Sequence, residues 1–102
     1  MRAFFEERIA ACQKRKAMLL ADGRSDEAVF EQVRSNVYGI FQTIWNMERG
    51  IDFFQEKLTA ISMNWHDAAM KAKSFDHTEA VTLESIKLET VQEIRAALEE
   101  RV

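Results

Sequence analysis

Proline is absent from this chain of 102 residues, and glycine occurs only at positions 23, 39 and 50. A sheet protein of this length needs many tight turns, and turns draw on glycine, proline and asparagine. Their scarcity argues for few, long elements, which means helices. Cysteine occurs once, as Cys12, so no internal disulfide can form and a reducing compartment is expected. No apolar run approaches the ~20 residues of a membrane span. The opening MRAFFEERIA carries Glu6 and Glu7 where a signal peptide would be apolar. These absences predict a soluble, cytoplasmic protein with no membrane partner.

Charge of one sign does not dominate. Fourteen Lys and Arg stand against seventeen Asp and Glu, a net charge of −3, which speaks against nucleic acid as a partner. The distribution is uneven. Residues 1–24 hold Arg2, Arg8, Lys14, Arg15, Lys16 and Arg24 against Glu6, Glu7 and Asp22, a net +3. Residues 76–102 hold seven acids against Lys87, Arg95 and Arg101, a net −4. The expected consequence is that the first and last helices lie side by side, in one chain or across a dimer; such pairs steer register more than they stabilise. Residues 1–102 suffice for one helical domain with a small core, which a partner subunit would assist.

Helical spacing sets the elements. A first helix is expected over about residues 2–22, with Met1, Phe5, Ile9, Cys12, Leu19 and Leu20 on one stripe. Gly23 follows where a helix ends on a left-handed residue, and Ser25 can cap the next helix. That second helix spans about 26–49, with Phe30, Val33, Val37, Ile40, Phe41, Ile44 and Met47 inside. Near residue 73 a third helix ends, and Asp76-His77-Thr78-Glu79 reads as a capping box for a fourth. The fourth helix buries Leu83, Val91, Ile94 and Leu98, flanked by Ile86 and Leu88.

Gly50 divides two architectures. Arg49-Gly50 before Asp52-Phe53-Phe54-Gln55 reads as a helix end followed by a new cap. The apolar heptad nevertheless runs through it in phase, from Phe30 and Val33 to Ala72 and Phe75. Cap chemistry and ordinary helix lengths favour a turn at Gly50, giving an all-α up-and-down four-helix bundle. The alternative is one continuous helix over about 26–73, roughly 70 Å long at ~1.5 Å per residue, in an intertwined dimer. The flanks of the heptad include Val29, Asn36, Phe41, Thr43 and Ala69 rather than a Glu/Lys code, so a simple coiled coil is disfavoured.

The stretch Leu19-Leu20-Ala21-Asp22-Gly23-Arg24-Ser25-Asp26-Glu27-Ala28, continuing to Asn36-Val37-Tyr38-Gly39-Ile40-Phe41, resembles small uncharacterised all-helical bacterial proteins, a family of unknown function. The resemblance implies a helical fold and brings no catalytic residues. Gly23 to Ala28 also resembles the turn inside a tetratricopeptide repeat, but no second copy follows.

Candidate sites are few. Met63 and Met70 lie opposite the expected core face of helix three, and Phe53 lies beside that face. With Tyr38 and Trp45 at the edge of helix two, they suggest a self-association surface and a homodimer. Trp45, Trp65 and Lys87 are candidates for lining an anion-binding pocket, since Lys87 falls within an apolar stripe. His66, Asp67, Asp76, His77 and Glu79 could ligate a metal, but no Glu-x-x-His pairs occur on facing helices, so neither metal nor cofactor is expected. Cys12 follows the apolar stripe and has no base placed beside it, which argues for a core thiol. Lys14-Arg15-Lys16 reads as a solvated face rather than a phosphate site. With no nucleophile–base pair, an interaction role is expected rather than catalysis.

Overall fold

The computed structural model describes residues 1–101. Four helices follow in order: α1 (Arg2–Ala21), α2 (Ser25–Trp45), α3 (Ile51–Ser74) and α4 (Thr78–Arg101). No strand occurs among the described residues. The all-α four-helix bundle expected from the missing turn residues is the observed fold class.

Each turn has a local cause. Gly23 has φ +74°, and the two amides around it close α1: Gly23 N–H donates to Leu20 C=O at 3.1 Å and Arg24 N–H to Leu19 C=O at 2.8 Å. This pair of bonds around a left-handed residue is a Schellman ending, and glycine adopts it without Cβ strain. The same arrangement ends α3, but with Asp76 at φ 56°. There Asp76 N–H donates to Lys73 C=O at 3.1 Å and His77 N–H to Ala72 C=O at 2.9 Å. Asp76 therefore closes α3 instead of capping α4, contrary to the expected capping box. Ser25 likewise is the first residue of α2, with Arg24 in the cap position and no side-chain cap bond.

At Gly50 the chain turns. α2 ends at Trp45, four residues before the expected end, and residues 46–50 carry two left-handed conformations, Glu48 at φ 55° and Gly50 at φ 91°. Gly50 stands at the N-cap of α3 rather than at the end of α2. The unbroken heptad has no packing role here, because Met47 and Ile51 on either side of the turn are exposed. Matching phase across a turn is thus a property of the sequence, not of a continuous helix.

The helices pair as two hairpins. α1 packs chiefly on α2, α3 chiefly on α4, and the hairpins meet mainly where α2 lies on α4. Cross-links with falling residue numbers make α1 and α2 antiparallel: Gln13 Nε2 donates to Ser35 Oγ at 2.8 Å and Lys16 Nζ to Gln32 Oε1 at 2.7 Å. The Cα extents are 40 × 35 × 21 Å. A helix of α3's length is about 36 Å long, so hairpins lying along one direction would extend that far along only one axis. Two long axes and one short one show that the two hairpins do not lie along one direction. The radius of gyration, 14.5 Å, accordingly exceeds the ~13 Å of a compact domain of this size.

The core sits where the hairpins meet. Phe5 from α1, Val37, Tyr38 and Phe41 from α2, Phe54 and Leu58 from α3, and Val91, Ile94 and Leu98 from α4 are all buried there. Phe54 is the hub. Its ring lies 6.2 Å from Phe5, 6.0 Å from Phe41 and 5.2 Å from Trp45, mostly edge to face, an arrangement that adds to simple area burial. Of the expected heptad, Val37, Phe54 and Leu58 are core, whereas Ile40, Met47, Ile51 and Phe75 are exposed.

Two outcomes follow. Phe54→Ala should lose about 3–5 kcal/mol of unfolding free energy, a large part of the ~5–15 kcal/mol a small domain possesses, as read by urea denaturation. Glu48→Gly should gain about 1 kcal/mol by relieving the left-handed strain, raising Tm by about 4–8 °C. An unchanged Tm would show that Glu48 is not held left-handed in solution.

Candidate functional site

The α1–α2 hairpin contains one charged group withdrawn from water. Glu31 is 8% exposed, on the face of α2 that meets α1. A lone buried carboxylate is costly, and here two arginines offset it. Arg15 Nε of α1 lies 3.2 Å from Glu31 Oε2, and Arg34 of α2 donates from a terminal guanidinium nitrogen to Glu31 Oε1 at 2.9 Å. The second terminal nitrogen of Arg15 donates to Cys12 Sγ at 3.5 Å. The Glu31–Arg34 spacing places both on neighbouring turns of one helix. Their partner Arg15 belongs to the basic run expected to be a solvated face. Sequence reasoning missed this cluster because an (i, i+3) acid–base pair is common on solvated helices and only the fold brings Arg15 to it.

Cys12 is fully buried beside this cluster, as expected of a core thiol. Burial pushes its pKa up from the ordinary 9.0, the negative charge of Glu31 adds to the rise, and Arg15 opposes it. The protonated thiol is therefore favoured, and the group is poorly placed to act as a nucleophile.

A cleft of about 640 Å³ opens along the outer half of the same hairpin, lined by Arg15, Met18, Leu19, Phe30, Glu31 and Arg34 among others. Smaller clefts lie between α3 and α4, including one of about 300 Å³ lined by Ser62, Met63, His66, Leu88 and Arg95.

The candidate residues separate. Trp65 and Lys87 meet, with Lys87 Nζ 5.5 Å from the Trp65 ring centre, but Glu84 also takes the ammonium at 3.0 Å. Trp45 packs on Phe54, whereas Trp65 packs on Phe41 at 6.1 Å. Phe41 and Phe54 occupy the space between the two indoles, and the small cleft beside Trp45 is lined by Ile44, Glu48, Gly50 and Ile51. The expected pocket of Trp45, Trp65 and Lys87 is therefore not one pocket. Met63 and Met70 are exposed, at 61% and 54%. Phe53 is half-buried, with Arg49 4.3 Å and Lys57 5.5 Å from its ring centre. Trp45 is half-buried against the core. Tyr38 corrects the expectation of an interface edge: it is 2% exposed, between Phe4 and α4, with its hydroxyl donating to Glu93. Burial and the Glu93 carboxylate both push its pKa well above the ordinary 10.0.

Among the described residues, the charge asymmetry between chain ends is realised within the chain at one point, Arg8 to Glu93 at 3.8 Å, because α1 packs chiefly on α2. Among the described residues, no three His, Cys, Asp or Glu side chains converge as a metal set, and no helix is long and apolar enough to cross a membrane.

No protein-family model, no curated protein and no solved structure matches the chain.

The two raised acids set the alkaline behaviour. Each binds its proton more tightly folded than unfolded, so the stability they contribute is complete below the unfolded pKa and is lost as pH rises through the folded one. Unfolding free energy should hold between pH 7 and about 8.5, then decline as unfolded Cys12 and Tyr38 begin to ionise. Denaturant titrations against pH check this. Cys12→Ala should remove the first part of the decline, and Tyr38→Phe the part above about pH 10. Unaltered slopes in both variants would contradict the burial described here.

Proposed function

We propose that this protein is a non-catalytic interaction module that associates with a second copy of itself through the outer face of α3. The carrying observation is the exposure of Met63 and Met70, one heptad apart, on a helix whose other face supplies Phe54 and Leu58 to the core. Seven residues is close to two helical turns, so the two methionines form one stripe about 10 Å long. Flexible thioether side chains suit an adaptable apolar contact, and self-complementary surfaces most often close as two-fold dimers. Phe53 lies on the flank of α3 between the two faces, and Trp45 packs on Phe54 on the core side, so the stripe itself is Met63 and Met70. Tyr38 has no part in it. The buried thiol of Cys12 suits a reducing compartment, and we place the protein in the cytoplasm.

Association is favoured over catalysis by the state of the one thiol, which is sealed, protonated and held by an arginine rather than a base. Sedimentation tests the reading. The wild type should run near twice its 11.8 kDa at micromolar concentration. Changing both Met63→Glu and Met70→Glu should weaken the dimer by about a hundredfold or more while keeping the helical signal. A wild type that stays monomeric, or a variant of unchanged mass, would overturn the reading.

A further inference from the structure

We propose that the cleft on the outer half of the α1–α2 hairpin binds a small amphipathic anion, its headgroup held by Arg15 and Arg34 and its apolar body lying on Met18, Leu19 and Phe30. The site is separate from the methionine stripe of α3, so the two readings stand or fall independently.

The argument starts from the layering of charge. Glu31, with its side chain 10% exposed, lies beneath; Arg15 and Arg34, with side chains 52% and 30% exposed, reach towards solvent. One carboxylate between two guanidiniums leaves a surplus of one positive charge, on the open side. Each guanidinium carries five N–H donors in a rigid fork. Glu31 and Cys12 engage two nitrogens of Arg15, and Glu31 engages one of Arg34. The other terminal nitrogen of Arg15, and two nitrogens of Arg34, have no protein partner among the described residues. Both arginines are thus anchored from below with donors to spare, the arrangement that recognises a carboxylate or phosphate.

Beside them the cleft is apolar. Met18 is largely exposed, and Leu19 and Phe30 are half-buried, on the part of the hairpin beyond the central core. Arg24 and Glu27 in the same lining pair with one another, and Asp22 lines the cleft as well, so the lining as a whole is charge-neutral and the positive surplus is local to Arg15 and Arg34. Asp22 disfavours a second negative charge, so a single anionic head with an aliphatic or aromatic body fits best. The volume of about 640 Å³ is in the range of small-molecule sites and holds one such molecule rather than a bilayer edge.

Thermal shift and titration calorimetry on the full chain test this with decanoate, decyltrimethylammonium and inorganic phosphate, each kept below any micelle threshold. Decanoate should raise Tm saturably, because it binds the folded chain alone, while the other two should leave it unchanged. Arg34→Gln should weaken decanoate binding about ten- to a hundredfold, the worth of a charged hydrogen bond. Phe30→Asp, at a half-exposed position that leaves the Glu31 pairs intact, should do the same by placing an acid in the cleft. An equal shift with decyltrimethylammonium would overturn the arginine assignment, and a full shift with phosphate alone would overturn the apolar one. Decanoate binding unchanged in both variants would overturn the location. Binding to anionic phospholipid vesicles without any decanoate shift would make the arm a membrane contact and overturn the proposal.

Discussion

The burial of Phe54 holds the two halves of this molecule together. It is the ring on which Phe5 of α1 and Phe41 and Trp45 of α2 converge from one layer while α4 closes the other. The broader contact between the hairpins is α2 on α4, which includes the Tyr38–Glu93 hydrogen bond, and Phe54 adds the link from α3. α2 touches α3 lightly, and α1 reaches α4 chiefly through Arg8 and Glu93. Hairpins that diverge have one small zone of mutual cover, here built from the start of α1, the end of α2, the start of α3 and the end of α4. Aromatic rings supply that area economically, each burying roughly 150–250 Å².

Divergence of the hairpins also explains what stays uncovered. Each hairpin extends past the shared zone, and its outer portion is sealed on one side only. On the first hairpin this leaves the cleft above Glu31; on the second it leaves the outer face of α3. The chain stabilises the first with ion pairs around a buried carboxylate, where replacing the polar cluster by apolar groups would often be neutral or stabilising. An ionic cluster is therefore weak evidence for stability, and its presence beside the cleft fits a role in binding. The methionine stripe has no such compensation within the chain.

The sequence made the helices legible and the faces only partly so. The end of α1 could be read at Gly23, because a glycine after an apolar stripe marks a left-handed residue. The positive φ of Glu48 in the turn after α2 and of Asp76 after α3 could not, because Glu rarely adopts it and Asp76 also suited the cap of the next helix. The buried faces shifted for a different reason. Ile40, Met47 and Phe75 were assigned inward from their place in the apolar heptad, yet they are exposed. Glu31, Ser35, Tyr38 and Thr90 were not, yet they are buried. Each of these polar side chains has a partner that tolerates its burial: Arg15 and Arg34 for Glu31, Gln13 for Ser35, Glu93 for Tyr38 and the Ile86 carbonyl for Thr90. Except for Thr90 and Arg34, those partners come from another helix, so hydropathy along one helix could not reveal them. The candidate surface at Met63 and Met70 was legible because it needed only the phase of α3. The cleft over Glu31 was not, because it depends on how two helices meet.

Small-angle scattering on the chain carrying both Met63→Glu and Met70→Glu, at a concentration where the forward intensity gives the single-chain mass, tests the packing of the two hairpins most directly. The packed hairpins predict a radius of gyration near the 14.5 Å of the Cα trace. A value of about 20 Å or more, that of a rod roughly 70 Å long, would mean that the chain runs straight through Gly50 and that Phe54 has no junction to hold.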